Sequence, residues 1–105
     1  MGTEERGRLY IVGIGPGGRE HVTPAALRAI AASEVVVGYT TYIRLIEDIV
    51  TGKEVVTTGM TREVQRCTKA LEAASSGRTA ALICSGDPGI YAMAGLVFEL
   101  ARNRS

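Results

Sequence analysis

Four short apolar runs alternate with four helix-period patterns along this chain, and only a few residues separate each from the next. Leu9–Ile14 is apolar except for Gly13 and reads as a strand buried on both faces. Glu34–Gly38, Glu54–Thr58 and Thr79–Ser85 are the other strand-like runs. Between them the periodicity predicts helices from Pro24 to about Ala32, from Thr41 to about Val50, after Thr61, and from Asp87-Pro88 onward. The inward faces are read as Leu27, Ile30 and Ala31; Tyr42, Ile46 and Ile49; Val64, Cys67, Leu71 and Ala74; and Ile90, Ala94, Val97, Phe98 and Ala101. Thr23 before Pro24 is a helix start, because the hydroxyl can cap and proline loses nothing in the first turn. Thr61 is read as a second cap, and Gly52 and Gly77 as stops. A β-α order repeated with short connections requires right-handed crossovers, hence a parallel sheet with helices on both faces. At 105 residues the chain is one domain at most.

In such sheets ligands bind beyond the carboxyl ends of the strands. Two glycine-containing turns fall there: Gly13-Ile14-Gly15-Pro16-Gly17-Gly18 and Ser85-Gly86-Asp87-Pro88-Gly89. The first matches G-x-G-x-x-G, yet three details oppose a dinucleotide site. The helix begins near Pro24 rather than at the last glycine, Pro16 removes an N–H, and no carboxylate follows Gly38-Tyr39 to hold a ribose. A phosphate-binding P-loop is excluded, since no Gly-Lys-Ser/Thr follows. The glycines then mark a tight turn, or close backbone approach by another ligand. Asp87 can cap the last helix and can also accept hydrogen bonds from an ammonium group or from ribose hydroxyls. Tyr39 and Tyr91 are placed to line a cleft for a large flat ligand, whereas Tyr42 is read as core. His21, the lone histidine, is read as a solvated loop residue.

Composition narrows the function classes. The 12 basic and 11 acidic residues are interspersed, leaving no basic stripe for nucleic acid and no charged block for a membrane surface. Residues 1–8 are polar and read as a flexible segment without the apolar stretch of a secretory signal, so a cytoplasmic protein is expected. Cys67 and Cys84 read as small buried hydrophobes, and no Cys/His spacing supports a metal site.

The motifs together resemble the tetrapyrrole methylases, S-adenosylmethionine-dependent enzymes of corrin and sirohaem synthesis. Leu9-Tyr10-Ile11-Val12-Gly13-Ile14-Gly15-Pro16-Gly17 is similar to the family's first strand and loop. Thr23-Pro24-Ala25-Ala26 fits its first helix, Val35-Val36-Val37-Gly38 its second strand, and Gly86-Asp87-Pro88 its other hallmark. Gly38-Tyr39-Thr40-Thr41-Tyr42, Gly59-Met60 with Glu63-Val64 and Arg66, and Ser85 through Gly95 most resemble the branch that methylates C17 of precorrin-3B with ring contraction in cobalamin biosynthesis.

The resemblance implies an α/β domain over residues 9–105, with sheet order 3-2-4-1-5 in the complete family fold. It implies S-adenosyl-L-methionine as methyl donor, contacted by Pro16, Gly86, Asp87 and Ile90. The tetrapyrrole, precorrin-3B or its cobalt form, would be faced by Gly15, Gly17, Gly18, Tyr39 and Tyr91. No catalytic residue is assigned. The family continues into a fifth strand and a second domain that completes the cleft. The chain is therefore expected to be a truncated N-terminal half, inactive alone, with the first strand as an open edge that promotes homodimers or self-association. Two other readings stand beside this one: a non-catalytic remnant or interaction module of the same fold, and a Rossmann-like nucleotide-binding domain.

Overall fold

The computed structural model describes residues 7–15, 22–86 and 89–104. Strands β1 (Arg8–Gly13), β2 (Val35–Tyr39), β3 (Glu54–Thr58) and β4 (Thr79–Cys84) alternate with helices α1 (Pro24–Ala31), α2 (Thr40–Leu45), α3 (Glu63–Ser75) and α4 (Gly89–Arg104). The four strands form one parallel sheet in the order β1-β4-β2-β3. This is the expected α/β architecture, with β1 at one edge of the described sheet.

Strand alternation divides the core in two. On one face Val12, Val36, Ala81 and Ile83 pack with Ala26 and Ile30 of α1 and with Ile43 of α2. On the other, Val35, Val37, Ala80 and Leu82 pack with Cys67 and Ala70 of α3 and Val97 of α4. Side chains of a strand point alternately to the two faces, so Val35-Val36-Val37 feeds both cores, and a continuous apolar run is what a doubly covered strand needs.

Local details depart from the sequence expectations at several points. Helix α2 stops at Leu45, and Ile46 takes φ −123° and ψ 27°. Turns follow, with Ile49 N–H donating to the Ile46 carbonyl and Lys53 N–H to that of Val50. This path buries Ile43, Ile46 and Val50 together, whereas Tyr42 and Ile49 pack at the margin. Thr23 does cap α1, its Oγ1 accepting from Ala26 N–H at 3.1 Å. Thr61 does not cap α3: it has φ +65°, its hydroxyl donates to the Met60 carbonyl, and Arg62 is the residue before the helix.

Five inward assignments fail. Val64 is 55% exposed, Phe98 68% and Leu27 37%, and Ala31 and Ala101 are also exposed. Ile30, Cys67 and Val97 are buried as read, and Ala26, Arg66 and Ala70 join them. Helical period allows several phases for a small-residue-rich helix, and the sheet contact selects one. No described helix is long and apolar enough to cross a membrane.

Candidate functional site

The carboxyl ends of the strands carry the site. Ile14 N–H donates to the Cys84 carbonyl at 2.9 Å, extending the β1–β4 ladder one residue beyond the strand. Gly15 follows β1 on one side, and Ser85-Gly86 follow β4 on the other. Gly86 has φ +108°, a conformation that needs glycine. Its carbonyl accepts the Ile90 N–H at 2.8 Å, which starts α4. A β-carbon on Gly13 would lie 2.5 Å from Ile90 Cδ1 and 3.0 Å from Gly86 Cα, so the missing side chain lets the two turns meet.

Two adjoining hollows open at this rim and share Tyr42 and Ser85. One, of about 250 Å³, is lined by Ile14, Gly15, Tyr42, Leu45 and Ser85. The other, of about 220 Å³, runs between α3 and α4 and is lined by residues including Glu63, Arg66, Cys84, Ser85, Gly89 and Met93. Gly89 is small where α4 begins, since a β-carbon there would lie 2.6 Å from Ser85 Oγ.

Arg66 is the charged group of this rim. It is only 5% exposed. Its Nε donates to Thr58 Oγ1 at 2.7 Å and its Nη2 to the Gly59 carbonyl at 3.0 Å. Its guanidinium carbon sits 5.8 Å from the centroid of the Tyr39 ring, and that ring meets Tyr42 edge-on at 5.3 Å. Thr40 Oγ1 donates to the Thr58 carbonyl, tying the start of α2 to the end of β3. Cys67 and Cys84 are buried free thiols. Burial pushes each up to about 11, with Glu63 raising Cys67 further, each opposed by the nearby Arg66 charge. The Cys67 thiol donates to Met93 Sδ at 3.2 Å. Neither thiol is a nucleophile at neutral pH in this setting.

Of the residues expected at the site, Gly15, Gly86 and Ile90 are brought to the rim, and Tyr39 stands beside it under Arg66. Ile90 is turned toward β1, lining a groove of about 300 Å³ with Tyr10, Val12, Gly13 and Ala26. Tyr91 is 72% exposed and lines none of these hollows. Pro16, Gly17, Gly18, His21, Asp87 and Pro88 lie outside the described residues. Arg66, Tyr42, Ser85 and Met93 were missed as lining residues. The available signal was Arg66 itself, a charge on the helical face that carries Cys67 and Ala70.

An α/β domain with glycines following the carboxyl ends of a parallel sheet is the class that this fold and rim define. The chain belongs to the Tetrapyrrole (Corrin/Porphyrin) Methylases, whose family model matches residues 8–105. It is 51% identical over 92 residues to a protein of Salmonella typhimurium named probable cobalt-factor III C(17)-methyltransferase, covering 88% of this chain and 38% of that one. It is 46% identical over 95 residues to the cobalt-factor III methyltransferase of Priestia megaterium, covering 90% of this chain and 18% of that one.

Among solved structures, the methyltransferase CobJ superposes with a TM-score of 0.77 at 36% identity over 92% of this chain and 40% of its own. A uroporphyrin-III C-methyltransferase from Thermus thermophilus, solved with S-adenosylhomocysteine, gives a TM-score of 0.66 at 28% identity over 91% of this chain and 43% of its own. The chain thus spans well under half the length of these relatives.

Proposed function

We propose that this chain forms the strand-end wall of an S-adenosylmethionine-dependent methyltransferase that acts on C17 of a cobalt-containing precorrin-3B-type tetrapyrrole, with ring contraction. The observation that carries this reading is the 46–51% identity to cobalt-factor III methyltransferases over about nine tenths of the chain. The chain spans 38% of one of these relatives and 18% of the other, so it is read as one part of the site.

The rim fits the methyl donor. Gly13 and Gly89 stand where added β-carbons would crowd their neighbours, and Gly86 needs its positive φ, so bare backbone is presented to a ligand. The adjoining hollows offer apolar walls with few polar groups, as small-molecule sites do. Gly86, Ile90, Pro16 and Asp87 remain the proposed donor contacts. Gly15, Gly17, Gly18, Tyr39 and Tyr91 remain the proposed tetrapyrrole-facing residues. When bound, the donor supplies a sulfonium-linked methyl to a nucleophilic ring carbon. The chain's own part is alignment: holding reacting atoms ~3–3.5 Å apart and excluding water. That role asks for a fixed rim rather than a general base, and the β1–β4 ladder with the Gly86–Ile90 hydrogen bond supplies one.

The test is a chimera in which residues 8–105 replace the matching region of the Salmonella typhimurium relative. Labelled methyl transfer from S-adenosylmethionine to cobalt-factor III is expected from the chimera and not from the 105-residue chain alone. A folded chimera without transfer would overturn the reading. Calorimetry separates the rivals: S-adenosylhomocysteine heat with no NAD heat favours the methyltransferase, NAD heat the Rossmann-like domain, and neither the non-catalytic module.

A further inference from the structure

We infer that Arg66 is a carboxylate anchor for the tetrapyrrole, gripping a peripheral acid side chain of the macrocycle and so fixing its rotation over the strand ends. The inference rests on the proposed methyltransferase reading and adds a specificity-determining residue to it.

Four observations carry it. Arg66 is 95% withdrawn from solvent yet forms part of the wall of the hollow between α3 and α4. Its hydrogen bonds among the described residues go to Thr58 Oγ1 and the Gly59 carbonyl, both neutral acceptors. No described carboxylate is recorded in an ion pair with it. A guanidinium has five donors in a planar fork, so two bonds leave capacity for a carboxylate. Burying a charge that has no ion-pair partner is costly, and a carboxylate entering the hollow would offset that cost. Tyr39 under the guanidinium and Thr58 on its Nε hold the fork in one orientation before the ligand arrives.

Position favours the macrocycle as the source of that carboxylate. Arg66 is anchored at the ends of β2 and β3, whereas the glycine turns stand at the ends of β1 and β4. With the order β1-β4-β2-β3 and strand spacings of ~4.8 Å, the β3 end that holds Arg66 lies roughly 10–14 Å from the ends of β4 and β1 along the sheet edge, and the hollow it lines reaches back to Ser85 and Gly89. A flat macrocycle laid across the strand ends reaches that distance with its rim substituents. Glu63 lines the same hollow from the first turn of α3. Its charge opposes an incoming carboxylate, so Glu63→Gln is expected to strengthen the interaction.

The test is a nuclear magnetic resonance titration of the 105-residue chain, which reads weak binding by a half-site. The probes are uroporphyrin III, with an acid on every side chain, its fully amidated form, and S-adenosylhomocysteine. Uroporphyrin is expected to shift the Arg66 Nε–H signal together with the amides of Gly59 and Ser85, and the amidated form is not. Arg66→Gln should weaken uroporphyrin binding about tenfold or more. Arg66→Lys should recover part of it, and S-adenosylhomocysteine binding should be unchanged. Because the acid and amide probes are compared on the wild-type chain, the result does not depend on a variant folding.

Equal response to acid and amide, or uroporphyrin binding indifferent to Arg66→Gln, overturns the anchor while leaving the methyltransferase reading intact. Loss of S-adenosylhomocysteine binding alone in Arg66→Gln assigns the group to the donor's carboxylate and likewise overturns it. No shift with any probe at millimolar concentration defeats both.

Discussion

Ile90 lies across the face of Gly13, with its Cδ1 2.5 Å from where a β-carbon would stand. The first turn of α4 is thereby locked against the end of β1. Gly13→Ala is expected to cost about 1–3 kcal/mol through overpacking. Ile90→Val should relieve part of that cost, so the double variant should be more stable than the sum of the single effects. Urea unfolding of the four proteins measures the coupling. Strict additivity would show that Gly13 is small for another reason.

Thr23 and Thr61 look alike in sequence and do different work. Thr23→Ala should cost about 1 kcal/mol, because Ala26 N–H loses its partner. Thr61→Gly should stabilise by up to about 1 kcal/mol, since a β-branched residue at φ +65° is strained and glycine is not. Thermal melts of the two variants should shift in opposite directions.

The two thiols give stability a pH dependence on the alkaline side. Each is raised from 9.0 to about 11 by burial. Between those values the folded chain keeps its protons while the unfolded chain loses them. The unfolded state then binds fewer protons, and stability falls as pH rises through that window. Cys67→Ala and Cys84→Ala should each flatten the fall, seen in denaturant midpoints from pH 8 to about 11. Alkylation of either thiol at neutral pH should require unfolding.

Among the described residues β1 is hydrogen-bonded to β4 alone, and no charge interrupts Leu9–Ile14. Unpaired apolar edges recruit other strands. The 105-residue chain is therefore expected to self-associate, with mass rising over a concentration series in light scattering. Tyr10→Lys, on a side chain lining the grooves beside α1, should return it to a monomer. A wild-type monomer at high concentration would show the edge to be protected.

The sequence by itself determined the order of elements, the parallel sheet and the rim that carries the site. Four apolar runs separated by helix-period segments allow little else, and a turn like Gly86 can be met only by a residue free to take positive φ. Gly86 was legible for the same reason: its positive φ is a local, backbone-level requirement. Tertiary structure alone decided which helical faces are buried. Val64 and Phe98 carry apolar side chains on helices of mixed phase, and only contact with the sheet and of α3 against α4 leaves them exposed while Cys67 and Val97, read as inward, are buried together with Ala70. It also decided Arg66. The helical face shared with Cys67 and Ala70 hints at that arginine, but its partners are decided only by the fold, as the chain doubles back to place Thr58 and Gly59 on the guanidinium and β2 brings Tyr39 beside it.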